Sequence, residues 1–173
     1  MCRWYSIILL LVILLLETAV GVAADEMTTI GLMFFGPTLN TGDRSEVYRS
    51  GFECGLAYHI SPYPNISVGF QAGFGALRSR DFGQLSMFSL IPSFRMYINP
   101  VESGTNGFAG LGIGGGFISG THIKENQFII QFNGGPRFRI GENSAFEIYI
   151  NFQVRQSDFS QNNISLILAL TYH

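Results

Sequence analysis

Sampled at every second residue, this chain separates into two chemically different sets, and the separation repeats in segment after segment. Phe52, Cys54, Leu56, Tyr58 and Ile60 fall on one parity and Glu53, Gly55, Ala57 and His59 on the other. After the turn residues Ser61-Pro62-Tyr63-Pro64-Asn65, the set Ile66, Val68, Phe70, Ala72, Phe74 and Ala76 opposes Ser67, Gly69, Gln71, Gly73 and Gly75. Phe88 to Ile98, Ala109 to Phe117, Phe128 to Ile140, Phe146 to Val154 and Ile164 to Tyr172 continue the pattern, and an opening segment near 28 to 36 places Ile30, Leu32 and Phe34 on its apolar face. A period of two is the signature of a β-strand with chemically distinct faces. Eight strands are therefore predicted, joined at 37–49, 61–65, 77–84, 99–106, 119–126, 141–145 and 156–163. Connections this short make neighbouring strands antiparallel.

The alternation does not by itself say which parity faces inward. Not one residue of the apolar parity is charged, and most are Phe, Ile, Leu or Val, too bulky to fill an eight-stranded barrel, whose interior is just wide enough for ordinary side chains. The other parity carries small and polar residues, including Gly31, Gly55, Gly69, Gly73, Gly75, Gly110, Gly112, Gly114, Gly116 and Gly135. A soluble exterior carries interspersed charges, about a quarter or more of the surface. Here only 13% of the 173 residues are charged. The apolar parity must face lipid, and the fold class is an all-β, eight-stranded antiparallel up-and-down transmembrane β-barrel. Closure follows because an unpaired backbone N–H or C=O in hydrocarbon costs several kcal/mol. The 21 glycines argue against membrane helices, each costing about 1 kcal/mol relative to alanine. Pro92 and Pro136, which donate no ladder hydrogen bond, are expected to sit at bulges.

The first 24 residues have a different character. Arg3 precedes an apolar run from Ile7 to Leu16, and Val22-Ala23-Ala24 supplies the small-residue pattern before Asp25. This is the form of a secretory signal peptide. The run falls short of the roughly 20 residues a membrane helix needs. The division is thus 1–24 signal peptide and 25–173 barrel domain. Cys2 leaves with the signal and Cys54 stands alone, so no disulfide framework is implied. Ten basic against twelve acidic residues give a net charge of −2, and Lys124 is the one lysine, so no nucleic-acid footprint exists.

The phrases Ile91-Pro92-Ser93-Phe94-Arg95-Met96-Tyr97-Ile98-Asn99-Pro100 and Gly107-Phe108-Ala109-Gly110-Leu111-Gly112-Ile113-Gly114-Gly115-Gly116 resemble recurrent strand phrases of the small bacterial outer-membrane barrels of OmpA/OmpX-like type. The resemblance implies an outer-membrane location with both termini in the periplasm, putting 37–49, 77–84, 119–126 and 156–163 outside the cell. Residues 107–156, especially Phe128 to Phe138 and Phe146-Glu147-Ile148-Tyr149, are also similar to the lipid A deacylase barrels. That similarity implies a His-x-Ser-Asn motif on a late strand, where this chain reads Phe152-Gln153-Val154-Arg155-Gln156-Ser157. No imidazole is present there to take a serine proton, so no catalytic residue is carried over.

His59, His122 and His173 are scattered, and neither their spacing nor that of the acidic residues indicates a metal site; no cofactor is expected. Gly110-Leu111-Gly112-Ile113-Gly114-Gly115 matches a nucleotide-binding pattern, but no helix follows to receive a pyrophosphate. The informative charges are Glu53, Arg95, Arg137, Arg139 and Glu147 on the lumen parity, with Arg155 just beyond. Charges inside a closed barrel must be paired, since stripping one partner from a buried pair costs about 3 to 5 kcal/mol. They read as a lumen charge network that plugs the barrel; the alternative is a narrow conduit in which excess arginine favours anions. The function read from the sequence is a non-enzymatic, monomeric outer-membrane barrel of structural or surface-recognition role. Its partners are outer-membrane lipid and lipopolysaccharide, and the loops carry no recognised binding motif. A hydrolase related to the lipid A deacylases is the rival from the enzyme class.

Overall fold

The structure is a computed structural model that describes residues 28–41, 48–79, 83–101, 103–120, 124–157 and 161–172. Residues 1–24, His122, His173 and the loop stretches 42–47 and 158–160 lie outside the described residues. Eight strands account for nearly all of the rest: β1 (Thr28–Asn40), β2 (Tyr48–Tyr63), β3 (Ile66–Ser79), β4 (Gly83–Tyr97), β5 (Thr105–Ser119), β6 (Lys124–Arg139), β7 (Ser144–Gln156) and β8 (Gln161–Tyr172). Each pairs antiparallel with the next, and β8 closes on β1. Among the described residues no helix is long and apolar enough to cross a membrane. Every strand has an apolar outer parity, and the tight Pro64-Asn65 turn between β2 and β3 shows how little chain the hairpins need.

The register fixes which side chains share a level. Following hydrogen-bonded partners from Ile30 round the wall passes His59, Gly69, Ser93, Gly112, Gln131, Gln153 and Asn163, then returns to β1 at Asn40. That stagger tilts the strands and closes the barrel. It also explains how residues far apart in sequence meet across the interior.

The outer surface is a continuous apolar belt. Leu56, Phe74, Met96, Phe132, Ile150 and Leu166 are all exposed on it. A belt encircling the molecule far exceeds the few hundred Å² of apolar patch that a soluble monomer tolerates. It is a surface for hydrocarbon. Cross-strand aromatic pairs brace it, including Phe74 with Phe88 at 5.1 Å and Phe88 with Phe117 at 5.7 Å between ring centroids.

The first strand reverses the expectation. Ile30, Leu32 and Phe34 are buried in the lumen, whereas Met33, Phe35 and Leu39 are exposed outside, with Gly31 on their side. Both faces of this strand are apolar near its start, so hydrophobicity could not orient it, and pairing to β2 and β8 decides instead. The strand also runs on through Pro37 to Asn40 rather than ending at 36, and the other connections are likewise shorter than expected.

The prolines are not bulges. Pairing passes from Leu90↔Gly115 to Ser93↔Gly112 and from Gly134↔Ile150 to Arg137↔Glu147 with the register unchanged. Pro92 and Pro136 simply skip a ladder position on one side while keeping Phe70 and Gly107 as partners on the other. Pro37 does the same at the closing seam, between Phe35↔Leu168 and Thr38↔Ser165. Each proline turns its missing N–H toward one neighbour only. The register shifts lie elsewhere, at the two ends of the β2–β3 pair.

Candidate functional site: the barrel lumen

Inward-facing residues build two polar layers on an apolar floor. At the end where β1 begins and β8 finishes, Ile30, Leu32, Phe34, Tyr97, Phe108, Tyr149 and Ile167 form a buried cluster. Val101 joins it from the turn between β4 and β5, although turn residues are ordinarily exposed. Its backbone N–H donates to the carbonyl of Pro64 at 2.7 Å, and its own carbonyl accepts from Nη1 of Arg137. The turn is thereby folded under the barrel mouth and latched from inside.

Immediately above lies the first charge layer. Arg95 on β4 donates from Nη1 to Oε2 of Glu147 on β7 at 3.0 Å, and Nε of Arg137 on β6 lies 3.6 Å from Oε1 of the same carboxylate. All three are almost completely buried. The Arg95 guanidinium sits 4.6 Å from the centroid of Phe108 and 5.5 Å from that of Tyr149, so ring faces cover what the carboxylate does not. Gly110 makes this crossing possible: a Cβ there would lie 3.1 Å from Cγ of Arg95 and 2.5 Å from Oδ1 of Asn133.

The second layer is built on Glu53. Its Oε1 accepts from Nε2 of Gln153 at 3.1 Å and its Oε2 from Oγ of Ser165 at 3.3 Å. Gln153 also donates to Gln131 at 3.1 Å, and Gln131 donates to Gln71 at 3.0 Å. Arg155 closes the layer, donating from Nε and Nη2 to Oε1 of Gln153 at 2.9 and 2.7 Å and from Nη1 to Oε1 of Gln127 at 3.2 Å. Thr38 and Ser165 share a hydrogen bond of 2.8 Å across the closing seam. Here too a glycine makes room, since a Cβ on Gly73 would stand 2.7 Å from Oγ of Ser89 and 3.2 Å from Oε1 of Glu53.

Of the five charges singled out from the sequence, Arg95, Arg137 and Glu147 thus come together, and Glu53 anchors a separate layer. Arg139 does not belong to the lumen. It is the last residue of β6, exposed at the rim, and donates to the carbonyls of Gly141 and Glu142 at 2.9 and 2.7 Å. Parity alone assigned it inward; the strand ends before that side chain has an interior to enter. Gln71, Gln127, Gln131 and Gln153 share the lumen parity and are buried, but an uncharged amide does not distinguish itself in sequence from a surface glutamine.

His59 lies between two serines, with Nε2 3.4 Å from Oγ of Ser93 and Nδ1 3.5 Å from Oγ of Ser67. The contacts are long, and serines rather than a carboxylate flank both ring nitrogens. His59 and Ser67 are completely enclosed and Ser93 nearly so. A nucleophile needs an oriented base and access to substrate, and this trio has neither. Gln153 and Arg155, within the late-strand stretch 152–157 that lacks a histidine, are engaged with each other in the second layer. Among the described residues no group of three His, Cys, Asp or Glu could hold a metal ion.

A closed antiparallel barrel of eight strands, apolar outside and polar within, has the architecture of a small transmembrane β-barrel. Solved structures of that class share the fold. Neisserial surface protein A superposes with a TM-score of 0.66 at 7% identity, covering 86% of this chain and 99% of its own. The N-terminal barrel domain of Pseudomonas aeruginosa OprF gives 0.55 at 11% identity, covering 83% and 97%. The outer membrane enzyme PagL gives 0.54 at 14% identity, covering 84% and 99%. The likeness to OmpA/OmpX-like barrels therefore holds at the level of fold. No protein-family model matches the chain, and no curated protein matches it in sequence.

Proposed function

We propose that the mature protein, residues 25–173, is a non-enzymatic, monomeric barrel of the bacterial outer membrane, a rigid closed wall that displays its outer loops for surface recognition or envelope integrity. The observation that carries this is the lumen: two polar layers, one above the other, and an inserted turn occupy the interior, so the barrel serves as scaffold rather than conduit. The apolar belt and the secretory pattern ending at Ala24 support the location, with outer-membrane lipid and lipopolysaccharide as its surroundings.

Purified protein reconstituted into planar bilayers should show no ion conductance above the bare membrane, and N-terminal sequencing of the membrane fraction should begin at Asp25. Steady anion-selective conductance would replace the scaffold with the conduit reading. Mass spectrometry of lipid A from cells with and without the protein tests the hydrolase reading: an acyl chain removed only when the protein is present would overturn the non-enzymatic one.

A further inference from the structure

The outer wall carries an open recess, a groove of about 550 Å³ where β8, β1, β2 and β3 run side by side. Its floor is made by Gly31 and Ala72, and its sides by Met33, Tyr58, Phe70 and Tyr172. Gly31 is the unexpected member. Its cross-strand partners are Tyr58 on β2 and Tyr172 on β8, two large rings with nothing between them. The backbone does not call for glycine, because Gly83 alone among the described residues has a positive φ. Packing does not call for it either: a Cβ at 31 would find only the carbonyl oxygen of Tyr172, at 3.9 Å. Glycine inside a strand weakens it and often marks a bulge, a tight bend, or the close approach of a ligand or another backbone; β1 keeps its register with β2 through Gly31, so no bulge lies there. Among the described residues no part of the chain comes within 4 Å of a Cβ at 31 except the Tyr172 carbonyl, so the missing side chain leaves space on the surface.

We propose that this groove is a binding site for one acyl chain of a phospholipid in the leaflet next to the chain termini. The proposal rests on the reading of the chain as a membrane barrel. The groove is continuous with the apolar belt, so hydrocarbon is what meets it in the membrane, and its lining offers almost nothing to which water could hydrogen-bond. Tyr58 and Phe70 pair at 6.1 Å between centroids and form one firm side. Gly31 lies near the start of β1 and Tyr172 at the end of β8, at the terminal, periplasmic end, and amphipathic tyrosine rings favour the membrane interface. A chain seated there is held between the rings of Tyr58, Phe70 and Tyr172.

The test uses the full mature protein refolded into vesicles of phosphatidylethanolamine and phosphatidylglycerol that contain a trace of phospholipid with a photoreactive group midway along one acyl chain. After illumination, adducts mapped by peptide mass spectrometry should concentrate on β1 to β3 several-fold over the opposite wall at Ile113 and Phe132. Gly31→Leu should fill the groove and abolish the excess while far-UV circular dichroism stays unchanged, and Ala72→Leu should do the same from β3 should the first variant fail to fold. Protein that inserts but is labelled evenly round the belt, or whose excess survives both substitutions, overturns the groove alone. Protein that stays out of the vesicles on flotation overturns the barrel reading and the groove with it.

Discussion

Arg137 and Glu147 are direct cross-strand partners on β6 and β7, with Nε and Oε1 3.6 Å apart inside the barrel, and Arg95 reaches the same carboxylate from β4 at 3.0 Å. One glutamate therefore compensates two buried guanidinium groups. Replacing it by its neutral isostere keeps the shape and strands both positive charges. Glu147→Gln should destabilise the folded barrel by about 3 to 5 kcal/mol, the cost of breaking a buried pair from one side. The measurement is urea unfolding in phospholipid vesicles, followed by far-UV circular dichroism and by the gel mobility of unheated samples. A loss below about 1 kcal/mol would show that the interior is hydrated enough to screen these charges.

Arg139 supplies the contrast, because it lies two residues from Arg137 on the same strand yet stands exposed at the rim, where its side chain donates to carbonyls of the following turn. Arg139→Gln should change stability by no more than about 0.5 kcal/mol, as for most surface substitutions. Arg137→Gln, which also unlatches the turn at Val101, should cost several times that. Comparable losses for the two variants in the same unfolding assay would place Arg139 inside the network after all.

These two arginines also show what the sequence could convey. Parity marked both as inward, and it served well from β2 to β8, where one face is bulky and uncharged and the other holds the glycines and charges. It failed at the end of β6 because alternation carries no information about where the wall stops. Partner choice was equally hidden: Arg95 and Glu147 are 52 residues apart and meet only through the register of the strands between them. The amides of Gln131 and Gln153 became visible as bridges only once Glu53 and Arg155 had been placed on either side of them. Nothing in the run Asn99-Pro100-Val101 announces that the turn between β4 and β5 inserts its valine into the barrel floor.

The orientation of β1 is open to direct measurement, since Leu32 and Phe34 are enclosed while Met33 and Phe35 are exposed on the belt. Single cysteines at these four positions, in a background with Cys54→Ser, can carry nitroxide labels in vesicles. Labels at 33 and 35 should relax with oxygen dissolved in the bilayer and be insensitive to a water-soluble nickel chelate. Labels at 32 and 34 should be immobilised or prevent folding. The reverse pattern would restore the parity that hydrophobicity first suggested and would remove Gly31 from the outer surface.

The belt itself makes the last prediction. Ile150 is exposed midway along β7, while the next residue, Asn151, is completely enclosed in the lumen. An arginine at a lipid-facing position near the bilayer midplane costs about 2 to 4 kcal/mol, falling to about 0 to 1 kcal/mol near the interface. Ile150→Arg should therefore lower stability in vesicles by about 2 to 4 kcal/mol, while Gln156→Arg, at the exposed end of the same strand, should be nearly neutral. On a water-facing surface neither substitution would be costly, because the guanidinium would stay hydrated. Equal and small effects at the two positions would thus mean that the belt faces water, and the orientation of the whole barrel wall would have to be inverted.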